Sequence, residues 1–194
     1  MPAIRRSEDM AIPVGGDLGA LRSAILEAYL LDRPAVAPAA IADRLEAWCR
    51  ELLDDVEGNP RGLEVTGIPE VWRDTLSWAG VPLARDGDLH WDRDCREDPT
   101  LDRPHLDGGL LRLPPPDVLC DCSGLGIKPV RLWIQHHLGV RLQAAPGLRL
   151  YVWPSHGLVI SHLDIPVGGF LYGPGVGTRM GLTIEPGSWQ LVSW

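Results

Sequence analysis

The chain has 194 residues and a formal net charge of −8 at pH 7, which is enough length for one domain of good size or two small ones. The net negative charge argues against non-specific nucleic-acid binding, which depends on a basic surface. A hydrophobic fraction of 45% excludes wholesale disorder.

The sequence carries no sign of export or membrane insertion. Arg5 and Arg6 are followed by acidic residues, not by the apolar segment of a signal peptide. No apolar run approaches the ~20 residues that span a bilayer. We therefore expect a cytoplasmic protein, which can still be incorporated into a larger assembly. Arginine outnumbers lysine seventeen to one, a usage typical of GC-rich genes that favours a bacterial or phage origin.

Three helices are predicted in the first part of the chain. Asp17 is a suitable N-cap for the first, which ends at Pro34. The second runs from about residue 38 to 56, where apolar residues recur at helical spacing. The third begins at Pro69 and ends at Gly80. Residues 81–85 and 88–91, joined by Asp86-Gly87, then predict a small hairpin.

Three helices followed by a hairpin is the order of a winged helix, so DNA binding is one hypothesis. Two features argue against it. About a dozen residues separate the second and third helices, whereas a helix-turn-helix has a turn of about three or four. The third helix also offers only Arg73 for a phosphate contact.

Residues 92–126 have no clear periodicity. An acidic stretch is followed by Gly108-Gly109 and by the prolines at 114–116, a pattern typical of a linker or a long ordered loop on the surface. We place the domain boundary, if there is one, within this segment. The sequence then divides into a helical region with a small hairpin (1–91), this segment (92–126), and a helix plus β-rich region (127–194) that can form one domain with the first.

The last part of the chain predicts one helix and several short strands. The helix covers about 127–139, with Pro129 in its first turn. Residues 140–143 are predicted to pair with 148–153, and further strands are expected at 156–165, 170–172, 178–184 and 189–194. Turn residues every eight to twelve positions favour an antiparallel β-sandwich or partly open barrel. The predicted fold class is thus α+β, with the N-terminal helices packed on this C-terminal β structure.

His162 and Asp164 are the first candidate metal ligands. On one continuous strand they point to the same face, about 7 Å apart along the chain, while His156 lies roughly 20 Å away. The pair resembles the first two ligands of the facial triad of non-haem iron oxygenases. No histidine follows Asp164 to supply the third ligand. A histidine oriented by a neighbouring carboxylate is the simpler interpretation.

A second candidate is a zinc site in the linker region. Cys120 and Cys122 form a C-x-C pair that can chelate one ion, and Cys95 with His105 would complete a Cys₃His set. The spacing lacks the C-x₂-C of zinc ribbons, so buried thiols are the alternative. The sequence carries four cysteines in all, too few for a disulfide scaffold.

Aromatic residues on the predicted strands suggest a docking surface. After Gly108 the chain holds only four acidic and six basic residues, so this part must be buried or covered by a partner. Exposed aromatics on a sheet serve interfaces. The candidates are Tyr151, Trp153, Tyr172, Trp189 and Trp194.

These observations lead to a hypothesis of a non-catalytic protein-interaction or assembly module that docks through its β-rich C-terminal half, on another protein or on its own copies. We expect no cofactor on this interpretation. The alternative is a metal-dependent enzyme using His162 and Asp164, with zinc or iron. DNA binding by a winged helix is third.

Overall fold

The computed structural model describes residues 4–6, 60–175, 179–186 and 189–194. This part of the protein is a mixed α+β structure in which strands dominate the C-terminal region. The first two predicted helices, at 17–34 and 38–56, lie outside the described residues, as does Cys49. No helix among the described residues is long and apolar enough to cross a membrane.

Residues 60–138 form the first layer of the structure. In chain order its elements are β2 (Leu63–Glu64), α1 (Glu70–Trp78), β3 (Leu83–Ala84), β4 (Cys95–Glu97), β5 (His105–Asp107), β6 (Leu110–Leu113), α2 (Pro116–Cys120) and α3 (Lys128–Leu138). Their apolar side chains meet in one cluster, which includes the fully buried Trp72 and Trp133. β1 (Ile4–Arg6) precedes them in the chain and joins a different sheet.

The hairpin predicted at 81–91 does not form. β3 instead pairs with β2 in parallel, and Leu63 also bridges Leu89. The segment around Leu63 therefore lies between the two segments that were expected to pair with each other. Its backbone uses both sides, because Leu63 donates to the Pro82 carbonyl and Glu64 to that of Leu89. The wing that a winged helix requires is thus missing from this position.

The segment 92–126 is more ordered than its composition indicated. β6 pairs in parallel with β4 and antiparallel with β5, making a small three-stranded sheet. Leu111, Leu113 and Leu119 are completely buried in the first cluster. The segment therefore contributes side chains to the first buried cluster.

Two antiparallel sheets make up the C-terminal region. Their strands are β7 (Arg141–Ala144), β8 (Leu148–Val152), β9 (His156–Ser161), β10 (Val167–Tyr172), β11 (Arg179–Ile184) and β12 (Trp189–Ser193). The orders are β1-β12-β9-β8 and β11-β10-β7, so neither sheet closes on itself. Apolar side chains from both sheets, among them Leu150, Val159, Leu171 and Leu182, share a second buried cluster.

β7 does not pair with β8, contrary to the sequence expectation. Its partner is β10, with Leu142 opposite Leu171. The connection after β7 passes from one sheet to the other, and its backbone is held elsewhere: Gly147 donates to the Trp78 carbonyl and its own carbonyl accepts from His162. Alternation of apolar residues identified β7 as a strand but carried no information about its neighbour.

Helix α3 connects the first layer to the two C-terminal sheets. Pro129 lies in its first turn, and Gly139 ends it in the left-handed conformation (φ 73°) that glycine adopts without strain. Val130, Trp133, Ile134 and Leu138 are buried in the first cluster. β7 follows α3 directly in the chain, so α3 lies beside the sheet β11-β10-β7. One further buried residue of the helix, Arg131, lines a groove with residues of that sheet.

Candidate functional site

The outer face of the sheet β11-β10-β7 carries a group of cationic and aromatic side chains. Side chains alternate along each strand, so Leu171, Leu182 and their neighbours fill the core while the intervening residues point outward. Register places Tyr172 between Arg141 and Arg179, and Phe170 between Gln143 and Gly181. We name this set, Arg141, Gln143, Phe170, Tyr172 and Arg179, the arginine–aromatic face.

Stacking orders the side chains of this face. The guanidinium of Arg141 lies 4.2 Å from the centre of the Tyr172 ring, and that of Arg179 lies 3.6 Å from the centre of the Phe170 ring. Both distances are within the range of cation–π attraction. The Tyr172 hydroxyl donates a hydrogen bond of 3.0 Å to Oε1 of Gln143. The side chains of the face are therefore held in place by one another.

An open groove of about 980 Å³ runs across this sheet toward α3 and the preceding loop. Gly168 and Gly181 leave its floor free of side chains, and a Cβ added at Gly181 would meet nothing within 4 Å. Leu125, whose side chain is 85% exposed, lines the side next to α3. Where the structure is described, no aspartate or glutamate lines this groove.

Arg131 occupies an unusual environment in this groove. Arg131 is only 6% exposed, yet within the described residues its Nε has no hydrogen-bond partner. The Nε of Arg141 is also buried and has no partner there. Burial, and secondarily the positive charge of Arg141, lower the pKa of the Arg131 guanidinium. A smaller cavity of about 120 Å³ is lined by both arginines together with Lys128.

The aromatic residues predicted to form the interface are divided by the structure. Tyr172 lies on the arginine–aromatic face, and Trp194 is partly exposed, with its indole N–H donating to the Pro154 carbonyl at 3.1 Å. Tyr151, Trp153 and Trp189 are buried.

The burial of these three differs from the exposure that the predicted interface required of them. The sheet β1-β12-β9-β8 is buried on both faces: Val159 and Val192 lie in the second cluster, while Leu158, Ile160 and Leu191 on the opposite face are also buried. Strands covered on both sides have no solvent face to which an aromatic residue can be assigned.

His162 and Asp164 do not lie on a continuous strand. β9 ends at Ser161, four residues earlier than predicted, and Asp164 is exposed in the connection to β10. The 7 Å spacing derived for one strand therefore does not apply. Within the described ranges, no group of three or more His, Cys, Asp or Glu side chains is arranged to hold a metal ion.

The proposed zinc ligands are also separated by the fold. Cys95 lies opposite Leu111 in the small sheet, and His105 opposite Arg112. Since neighbouring residues of β6 point to opposite faces, Cys95 is buried in the core while His105 is exposed. Burial raises the pKa of the Cys95 thiol, which favours the neutral form that does not bind metal. Cys120 and Cys122 lie in a different element, at the end of α2.

One cavity brings together a residue from each of the two predicted metal sites, Cys120 and His162. A cavity of about 260 Å³ is lined by Cys120, His162 and Asp74, among others. Arg149 also lines it, and its guanidinium lies 3.4 Å from the Asp74 carboxylate. The structure shows this ion pair at the cavity and, among the described residues, no group of three side chains arranged to hold a metal ion.

Comparisons with protein-family models, with curated proteins and with solved structures found no match to this chain. The site must therefore be interpreted from its own geometry. Sequence reasoning missed Arg131, although a signal was present. Ile127, Arg131, Ile134 and Leu138 follow one another at helical spacing, so a charged residue interrupts an otherwise apolar stripe.

Proposed function

We propose that this protein is a non-catalytic interaction module, of bacterial or phage origin, that docks an acidic segment of a partner protein on the arginine–aromatic face. One observation carries the proposal: two arginines stack on two aromatic rings of one outer sheet face, and the open groove beside them, which Arg131 and Phe170 line, has no acidic side chain in its described lining. In a chain of net charge −8, such a local concentration of positive charge selects an oppositely charged ligand.

The composition of the face suits a protein partner. Arginine and aromatic residues are the side chains most enriched among residues that dominate binding energy at interfaces. Leu125 adds an exposed apolar contact beside the groove. Because the arginines are already stacked on rings, little side-chain entropy is lost when a partner binds.

A second copy of the chain can provide the acidic segment. Asp102 and Asp107 are exposed around β5, with side-chain exposures of 95% and 61%. Contact between this segment and the arginine–aromatic face of another copy would be heterologous, which builds rings or filaments. Assembly from identical copies is therefore one form of the proposed function.

The test uses a decaglutamate peptide labelled with a fluorophore, and measures its anisotropy during titration with the protein at low and at moderate salt. We expect binding that weakens as salt screens the charges, and its loss in an Arg141→Gln, Arg179→Gln double variant. The matched control is Arg85→Gln, Arg96→Gln, which removes two exposed arginines elsewhere. Equal binding by both double variants, or none by the wild type, would refute the proposal.

The metal-dependent enzyme using His162 and Asp164 is the second candidate. The observation in its favour is that His162 lines a cavity together with Cys120 and Asp74. Zinc, iron or manganese that co-purifies with the wild type, and is reduced in Asp164→Ala, would support this candidate. Unchanged metal content in that variant would count against a role for Asp164.

A further inference from the structure

We propose that the inner end of the groove, where Lys128, Arg131 and Arg141 line one small cavity, binds a dianionic phosphoryl group. This inference goes beyond the docking of an acidic segment, because the site would take a free phosphomonoester whether or not the face binds a protein. Three features support it: the burial of Arg131, the lack of an acceptor for its Nε within the described residues, and the number of positive charges around the cavity.

Burying the Arg131 guanidinium without an acceptor for its Nε costs free energy. A buried charge is normally paired with an opposite charge or fully hydrogen-bonded, because its desolvation is expensive. Arg131 is only 6% exposed, and among the described residues its Nε has no hydrogen-bond acceptor. A hydrophobic residue would pack against Ile127 and Ile134 at lower cost. An anionic ligand is the partner that would explain a guanidinium at this position.

The second step concerns the charge of that ligand. Arg131 and Arg141 repel each other, and Lys128 adds a third cation to the same cavity. A monoanion such as a carboxylate would offset only part of this charge. A phosphoryl group carries about −1.5 to −2 at pH 7 and offers three strong acceptor oxygens. Guanidinium groups bind such oxygens in pairs, through two parallel N–H donors.

The third step is the space around the cavity. It opens into the larger groove, whose lining includes Gly168, Gly181 and Phe170. A phosphoryl group bound at the inner end therefore leaves room for the rest of its carrier to extend along the sheet. The carrier can be a small organic molecule or a phosphorylated side chain of a partner protein, and in both cases the protein recognises the same phosphomonoester.

The first experiment follows the Nε–H signals of the arginines in ¹H–¹⁵N spectra while inorganic phosphate is added to the full chain. We expect the signals of Arg131 and Arg141 to move in a saturable manner. Sodium acetate at the same ionic strength is the control for a monoanion and should move them less. Unmoved signals, or equal shifts with acetate, would overturn the proposal.

Variants then assign the binding to the cavity. Loss of one charge-assisted contact predicts about 10- to 100-fold weaker phosphate binding in Arg131→Met. Lys128→Met provides a second variant at an exposed position, where folding is not at risk, and should also weaken binding. Arg96→Met, on a different sheet, should bind as the wild type does. Equal affinity in all three variants would show that phosphate binds elsewhere.

A final comparison separates the two carriers. Free O-phosphoserine and a phosphoserine peptide both present the required group, so binding by either supports the site. If the peptide binds more tightly than free O-phosphoserine, the natural carrier is assigned to a partner protein. If the two bind equally, the carrier is assigned to a small molecule. Failure of both to bind would contradict the inference, while binding of decaglutamate in the earlier test would leave the docking proposal standing.

Discussion

Replacing Arg131 by methionine should make the protein more stable, which is an unusual outcome for a change at a buried position. Methionine keeps an unbranched side chain of similar length, so the contacts of the arginine stem are largely retained. The substitution removes a buried donor, Nε, that has no acceptor within the described part of the chain. It also removes the repulsion between Arg131 and Arg141 that contributes to the lowered pKa of Arg131.

The magnitude follows from these two terms. An unsatisfied buried donor costs about 1–3 kcal/mol, and a desolvated charge costs several kcal/mol before any relaxation. The second term is reduced here because Arg131 lines the open groove. We therefore expect a gain of roughly 1–2 kcal/mol in the free energy of unfolding. For a chain of this size, each kcal/mol corresponds to about 2–4 °C in Tm.

The assay is urea unfolding in phosphate-free buffer, followed by tryptophan fluorescence. Arg112→Met is the matched control, because the Nε of Arg112 also lacks a partner within the described residues, but its guanidinium is paired with Asp98 at 3.4 Å and with Asp107 at 3.5 Å. That variant should lose about 1 kcal/mol. If Arg131→Met is less stable than the wild type, while Arg112→Met loses stability as expected, the view that Arg131 is an uncompensated charge is refuted. Phosphate added to the buffer should raise the stability of the wild type but not of Arg131→Met.

Three further predictions concern the first layer. Gly87→Ala should destabilise the protein, since its Cβ would lie 2.2 Å from the Gly62 carbonyl oxygen, whereas Gly124→Ala, with nothing within 4 Å, should be nearly neutral in thermal unfolding. A thiol reagent followed by peptide mass spectrometry should label the exposed Cys120 before the buried Cys95, whose pKa is raised by burial; the reverse order would be inconsistent with the structure. Burial raises the pKa of Asp94, but hydrogen bonds from Arg93 and from a backbone N–H outweigh it, so the net pKa is below 3.8. Its stabilisation is therefore complete above that value and lost as pH falls below it, and an acid titration of Asp94→Asn should show a smaller loss of stability.

The sequence predicted the elements of the C-terminal region better than their arrangement. Alternation located β8 and β11, and Pro129 with Gly139 marked the limits of α3 within about one residue. Pairing was harder, because an alternating pattern states which residues share a face and not which strand is adjacent. The predicted pairing of β7 with β8 was wrong for this reason. The fragments β4, β5 and β6 are too short, at three to four residues, to establish a period at all.

The candidate site was only partly predictable. Tyr172 was named from the sequence and lies on the arginine–aromatic face. The arginines of that face were not named, since an arginine on a strand is ordinarily a solvated surface residue. Their significance arises from tertiary contacts, namely Arg141 stacked on the ring of Tyr172, its register partner on the adjacent strand, and Arg131 close to Arg141 from a helix. Residues distant in sequence meet only after the sheet has formed.

The side chain of Gln190 protects part of an exposed sheet edge. β11 is an outer strand of its sheet in the described structure, and such strands can recruit a neighbouring chain through their free backbone groups. Gln190, reaching over from β12, donates its amide N–H to the Thr183 carbonyl and so occupies one of those groups. The same amide is buried and cannot rotate away without losing its acceptor. With that carbonyl occupied, β11 offers one acceptor fewer to the backbone of an approaching chain.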